Sequence, residues 1–471
     1  MNEHITTRSG AALPLTVAEY DKSRPHVRHR TLRSVCYAPF LSMDFDATGA
    51  IRLCNHSHTV VAQMSKDVSV IDVWRGEGYK RYRAEMRNYI LDENNCKHCV
   101  RQCATGSGKH VFAVEQFDHG SNDNPDPAYP KRLIFRLNST CNLACIMCDG
   151  MTSSRIRRER DKLPLTPVMY GERFFKDMEE ILPHVDHIEF YGGEPFLVKE
   201  HLRIFEILEK VKARCTIYVN SNAVSFHPRA KHFLETLNFK TIAVSMDAVD
   251  PELHADVRGG LRSDLFFDNI EYLLGLRAKN GLDVMLNVTE HRKNWFELPE
   301  VFRFAEPRRM YLHINTCIHP HNVTLYTLPS DQLGYVLSFL EAQRDVLLSE
   351  FPRFSNLANY DFLLSLIRSE LGSRGEGWQP VITNVNRASD GLLAAPRPSV
   401  RPFESPEIVA REAERVVRML DSATAARLLR DMEARLPMGT DSDRWGIVAQ
   451  DIRRLLTRLA QEAPQDLLFR D

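Results

Sequence analysis

Cys141-Asn142-Leu143-Ala144-Cys145-Ile146-Met147-Cys148 follows closely on the apolar run Leu133-Ile134-Phe135-Arg136-Leu137. The run reads as a strand, and the spacing C-x3-C-x2-C puts three thiols on the loop leaving its C-terminal end. A short loop of this kind can hold three corners of a cubane iron–sulfur cluster. The fourth iron then has no protein ligand and stays open to a small molecule. Taken alone, the triplet also allows a zinc loop or three free thiols.

Downstream, strands and helices alternate. Further strands are expected at His187–Tyr191, Thr216–Val219, Thr241–Val244, Val284–Val288 and Met310–Ile314. Between them, apolar residues at helical spacing (Phe174, Phe175, Met178 and Ile181; Leu202, Phe205 and Leu208; Phe266, Ile270 and Leu273) mark crossover helices. Repeated β–α units imply an α/β fold with a parallel sheet, here a partial (β/α)6 TIM-like barrel over residues 131–320. The polar groups of interest sit at strand C-terminal ends, the face where parallel barrels place their chemistry.

The chain has 471 residues, of which 43% are hydrophobic and 26% charged, as in globular proteins with room for two or three domains. A net charge of −1 gives no whole-chain field toward nucleic acid or an anionic membrane, so neither is an expected partner. No apolar run approaches a bilayer span, and the first residues lack the apolar stretch of a secretory signal; the expected location is cytoplasmic. In such a chain, clustered cysteines argue for metal ligation over disulfides. Five of the ten lie between Cys36 and Cys103 and three in the triplet, while Cys215 and Cys317 stand alone.

The triplet and Gly192-Gly193-Glu194-Pro195, after the second strand, resemble the radical S-adenosylmethionine (SAM) superfamily over residues 131–320. The resemblance implies one 4Fe–4S cluster on Cys141, Cys145 and Cys148, with SAM chelating the open iron. Reductive cleavage of SAM to methionine and a 5′-deoxyadenosyl radical, which abstracts hydrogen from a substrate, is the implied activity. Implied SAM contacts are Gly192, Gly193 and Glu194 beside its amino group, Asn220, the ribose-contacting Ser245 and Asp247, and Arg258 at its carboxylate. Where the family usually has an aromatic residue before the third cysteine, this chain has Met147, soft enough to fill the same space. An external electron donor such as flavodoxin or ferredoxin is an implied partner.

Cys36, the G-x4-C run from Gly49 to Cys54, Val70-Ile71-Asp72-Val73-Trp74 and the set Cys96, Cys99 and Cys103 resemble the SPASM/twitch auxiliary module. That resemblance implies a second 4Fe–4S cluster, on Cys36, Cys54, Cys96 and Cys99 with Cys103 spare or an alternative ligand. The family places this module after the barrel, and here it precedes it. A four-cysteine zinc site is the alternative.

The expected organisation is a flexible N-terminus (1–30), the cysteine module (31–105), a turn-rich linker (106–130), the barrel (131–320), a helical extension (321–385), a mobile Pro/Ser/Ala-rich linker (386–404) and Arg-rich helices (405–471). Cys317, just past the sixth strand, is either a hydrogen-atom donor to a substrate radical or a buried apolar cysteine. Ala104–His110 looks like a phosphate loop but lacks its leading glycine and follows no strand, so it reads as linker. His313, His319 and His321 read as packing residues, with metal binding as the alternative. By analogy with family members bearing an auxiliary cluster, the expected substrate is a peptide or protein, and next a small alcohol-bearing molecule to be dehydrogenated. A zinc- or iron–sulfur-bearing interaction protein and a simple electron carrier are the rival classes.

Overall fold

Arg132–Phe135 is the fourth strand of a seven-stranded stretch of sheet, in the order Phe239–Ser245, Thr216–Ser221, His187–Phe190, Arg132–Phe135, Ser42–Phe45, Ala50–Arg52, Ala62–Gln63. The first five run parallel, with registers such as Ile134↔Glu189 and Glu189↔Tyr218, and the last two add antiparallel. Side chains alternate faces along a strand. One face carries Leu133, Phe135, Ile188, Phe190, Ile217 and Val219, all fully buried or nearly so. Phe174 of helix Glu172–Ile181 and Phe205 of helix Lys199–Val211 pack there, 6.4 Å from Phe135 and 4.6 Å from Phe190. The other face is polar: Arg132 pairs with Glu189, Arg136 with Asp44, and Tyr191 Oη donates to Glu189 Oε2 at 2.7 Å.

The computed structural model describes residues 3–27, 30–104, 112–120, 123–374 and 452–456. They fall in two compact units, Met1–Ser245 with Arg258–Met285, and Met246–Val257 with Leu286–Asp471. The α/β class with a mostly parallel sheet is as expected. The cysteine module, however, joins the sheet: Ser42–Phe45 pairs in parallel with Arg132–Phe135, and both lie in the first unit.

The N-terminus departs from the flexible lead-in expected. Strands His4–Thr7 and Ala12–Thr16 form a small sheet with Ile90–Leu91. Helix Val17–Ser23 starts on a capping box in which Thr16 Oγ accepts from Glu19 N and the Glu19 carboxylate accepts from Thr16 N. Its Tyr20 is buried and donates to Val35 O at 2.9 Å, which ties the segment down. Within the expected linker, Phe112–Asp118 is helical, and Asp118 forms a buried ion pair with Arg24 at 2.5 Å. Of the segment Ala104–His110, read as linker, residues 105–110 lie outside the described residues.

In the second unit, residues Leu286–Glu290 of the strand Asp283–Glu290 run parallel to Leu312–Thr316, from Leu286↔Leu312 to Glu290↔Thr316. Helices Leu298–Ala305, Ser330–Glu350 and Leu357–Ser373 surround a core that includes Phe302 and Tyr360, with ring centroids 4.9 Å apart. The mobile linker expected at 386–404 lies outside the described residues, as does the region 405–471 except for helical residues 452–456. No helix among the described residues is long and apolar enough to cross a membrane.

Candidate active site

The three thiols of the triplet sit where strand Arg132–Phe135 hands over to its loop, and hydrogen bonds hold that loop in shape. Cys141 N donates to Ser154 Oγ at 3.1 Å, Ser153 Oγ donates to Leu143 O at 2.6 Å, and Cys148 N donates to Cys145 O at 3.1 Å. Cys141 and Cys148 are partly exposed and Cys145 is buried. Burial pushes the Cys141 thiol up to about 11. Cys145 and Cys148 hydrogen-bond to one another, which brings Cys148 down to about 7, with Arg258 adding to the same effect. Met147 is half-buried beside them.

Two glycine loops close on the triplet. Gly193 has φ +47°, and a Cβ there would collide with the Thr140 carbonyl. Gly193 N donates to Thr152 O at 3.1 Å and Glu194 N to Thr140 O at 2.8 Å, so the Gly192-Gly193-Glu194 turn lies against the residues flanking Cys141. Gly259 repeats the device: its carbonyl accepts from Ala144 N at 2.9 Å and Arg155 Nη1 at 3.2 Å, and a Cβ would strike the Ala144 carbonyl. This contact sets Arg258, itself buried, within electrostatic reach of Cys145, Cys148 and Glu194.

Glu194 turns its carboxylate inward. It accepts from Ser221 Oγ and Asn222 N, each at 2.8 Å, and burial pushes it up to about 7. Asn220 and Ser245 are brought together, with Ser245 Oγ donating to Asn220 Oδ1 at 3.3 Å. Asp247 belongs to the second unit, fully buried; its Oδ1 accepts from Thr289 N at 2.8 Å, and it ties down a strand end. The sequence reading missed Asn142 and Asn222, whose side chains join at 2.9 Å and link the cysteine loop to the third strand's end. The Asn220-Ser221-Asn222 run was the available signal.

Cys36, Cys54, Cys96 and Cys99 are close enough to interact electrostatically, and burial raises each thiol. Cys96 immediately precedes helix Lys97–Ala104, and Cys99 and Cys103 follow on it at three- and four-residue steps, so all three share one face. Cys103 is one turn further on, where Arg24 offsets part of the effect of burial, and its thiol is pushed up to about 11. His56 and His98, not singled out from sequence, stack 5.5 Å apart next to these cysteines in the chain. Cys317 lies in the second unit, 2% exposed; its N donates to Glu290 Oε2 at 3.0 Å and its Sγ to His319 O at 3.5 Å.

Three thiols on one loop, a glycine turn that leaves no room for a side chain, and an adjacent guanidinium fit a three-thiolate cluster carrying a carboxylate-bearing ligand. Among the described residues no group of three or more His, Cys, Asp or Glu could hold a single metal ion. A four-iron cube spreads its thiolates further apart than one ion does, so this finding bears on a single ion.

The sequence model of the Radical SAM superfamily matches residues 136–298. GTP 3′,8-cyclase from Clostridium botulinum is 22% identical over 189 residues, 36% of this chain and 56% of the relative. Mycofactocin maturase MftC from Mycobacterium ulcerans is 25% identical over 199 residues, 41% of this chain and 47% of the relative. The chain thus spans about half the length of the curated relatives it matches. Among solved structures, Streptococcus suis SuiB bound to precursor peptide SuiA aligns with 51% of this chain and 50% of its own, at 16% identity and a TM-score of 0.33. Residues 136–298 are thus similar in sequence to the Radical SAM superfamily.

Proposed function

We propose that this protein is a radical SAM enzyme that modifies a peptide or protein, with Cys141, Cys145 and Cys148 as the ligands of its catalytic cluster. Held by these three thiolates, a 4Fe–4S cluster with bound SAM would supply reductive cleavage of SAM to methionine and a 5′-deoxyadenosyl radical able to take a hydrogen atom from the substrate. The chain's own part is positioning. The Gly192-Gly193 backbone offers close approach to the ligand's amino group, and Arg258 gives its carboxylate a cation. Asn220 and Ser245, hydrogen-bonded to each other, present polar groups for the ribose. Inward-turned Glu194 holds the glycine turn against the third strand's end through Ser221 and Asn222.

The observation that carries this reading is the approach of Gly193 and Gly259 to the cysteine loop, each at a distance that excludes a side chain. We take Cys36, Cys54, Cys96 and Cys99 as ligands of a second cluster, supported by their mutual proximity. A peptide or protein substrate is supported by the likeness of this cysteine set to the SPASM/twitch module and by a maturase among the relatives. The test is anaerobic reduction with dithionite in the presence of SAM. Wild type yields 5′-deoxyadenosine and methionine, and Cys145→Ala yields neither; equal yields from both would overturn the assignment.

A further inference from the structure

Apolar exposure in the first unit is concentrated next to the cysteine loop. Of six large hydrophobic side chains that are exposed among the described residues, four fall between 151 and 168: Met151, Leu163, Leu165 and Val168, exposed by 51%, 49%, 61% and 68%. Arg157 ties Met151 to the backbone of Leu163 and Pro164, which precede Leu165 in the chain. Arg157 Nη1 reaches Met151 Sδ at 3.8 Å, its Nε donates to Pro164 O, and its carbonyl accepts from Leu163 N at 2.8 Å. Singly exposed hydrophobic residues need no explanation, but a cluster rimmed by charge marks an interaction surface.

The rim is basic. From Arg155 to Lys162 the chain places five cations against two carboxylates, Glu159 and Asp161, a surplus of three positive charges in a protein whose net charge is −1. Glu159 pairs with both Arg155 and Arg158, and Asp161 with Arg160, so the carboxylates are already engaged. The patch is also wired to the cysteine loop: Arg160 Nη1 donates to Cys148 O at 3.1 Å and Arg155 Nη1 to Asn142 O at 3.1 Å.

We infer that this patch is the docking surface for a small acidic one-electron carrier protein that reduces the enzyme. The inference rests on the function proposed above, which consumes one electron per SAM cleaved from a source outside the site. The carrier gives up that electron and is oxidised by one equivalent; the electron leaves the protein in the methionine and deoxyadenosyl fragments as the carbon–sulfur bond breaks. The surplus charge suits an acidic partner, the exposed Met151, Leu163 and Leu165 suit an apolar contact, and the Arg160 hydrogen bond to the Cys148 carbonyl puts the surface next to the cysteine loop. Complementary charge raises the encounter rate and sets orientation, and apolar contact supplies the rest of the affinity.

The probe is flavodoxin, with a 2Fe–2S ferredoxin as a parallel arm, added to anaerobically purified holoenzyme. Calorimetric binding of oxidised flavodoxin to wild type weakens as salt rises, because screening shortens the reach of the charges. In Arg158→Glu/Lys162→Glu the affinity falls by about tenfold or more and loses most of its salt dependence. Leu165→Ser weakens binding while leaving the salt dependence as in wild type. Cleavage of SAM driven by flavodoxin falls in step with binding, whereas cleavage driven by dithionite stays at the wild-type rate in all three proteins. Unchanged binding and unchanged flavodoxin-driven cleavage in the charge-reversal variant would overturn the docking surface. So would a wild-type dimer that this variant disrupts, which would make a second copy the occupant, or an equal loss of dithionite-driven cleavage, which would make the patch a support for the cysteine loop. Absence of dithionite-driven cleavage in wild type itself strikes the proposed function instead.

Discussion

At the residue scale, the site depends on positions where a side chain is excluded as much as on those where one is present. Gly193 is held at φ +47° against the Thr140 carbonyl, a conformation and a contact that alanine tolerates poorly. Gly193→Ala is expected to shift the turn away from Cys141 and weaken SAM binding by about tenfold, the equivalent of about 1.4 kcal/mol. Equilibrium dialysis of SAM against the oxidised holoenzyme, which does not cleave it, measures this; wild-type affinity in the variant would remove Gly193 from the binding site. The role of Glu194 was the least legible from sequence. A GGE triplet puts a carboxylate beside the site in one dimension only. Which way it points depends on Ser221 and Asn222, 27 and 28 residues further on.

Glu290, in the second unit, gives a pH signature. Burial pushes its carboxyl up to about 8, against about 4.3 in an unfolded chain. The folded protein keeps the proton where the unfolded chain releases it, so stability falls as pH rises from about 4 to about 8 and levels off above. In Glu290→Gln the amide oxygen can still accept from Cys317 N, and this slope disappears. Thermal unfolding compared at about pH 5 and pH 8 is expected to show a drop for wild type several degrees larger than for the variant, since a shift of this size is worth a few kcal/mol. Parallel curves for the two proteins would show that Glu290 ionises without cost.

At the element scale, helix Lys97–Ala104 orders three cysteines along one face, but only Cys96 and Cys99 meet Cys36 and Cys54. Cys99→Ala is expected to lower iron by about four per chain, while Cys103→Ala keeps the full complement of about eight. Iron and sulfide analysis after anaerobic reconstitution distinguishes them, and equal iron loss in both would assign Cys103 a ligand's place. The barrel strands were legible because each is a short apolar run at the expected place in a β–α alternation, as at His187–Phe190 and Thr216–Ser221. The parallel pairing of Ser42–Phe45 with Arg132–Phe135 was not, because nothing local in a four-residue strand names its partner 90 residues away. The N-terminal capping box, Thr16 to Glu19, was a signal in plain view, and an expectation of flexibility based on polarity passed over it.

At the scale of the whole molecule, one sheet in the first unit joins the two cysteine sets. Its polar face runs from Asp44 and Arg136 to Glu189 and Tyr191, beside the strand that leads into the triplet. The alternation of Arg132, Ile134 and Arg136 with Leu133 and Phe135 already announces that one face is charged; the pairing of those charges across strands is a property of the sheet.

The central claim is an open coordination position on a cluster held by Cys141, Cys145 and Cys148. The most direct measurement is electron–nuclear double resonance on the dithionite-reduced protein with SAM labelled by nitrogen-15 at its amino group and oxygen-17 at its carboxylate. Hyperfine coupling of both nuclei to the cluster in wild type, and its disappearance in Cys145→Ala, is the expected result. A reduced cluster with coupling to neither label would contradict the account.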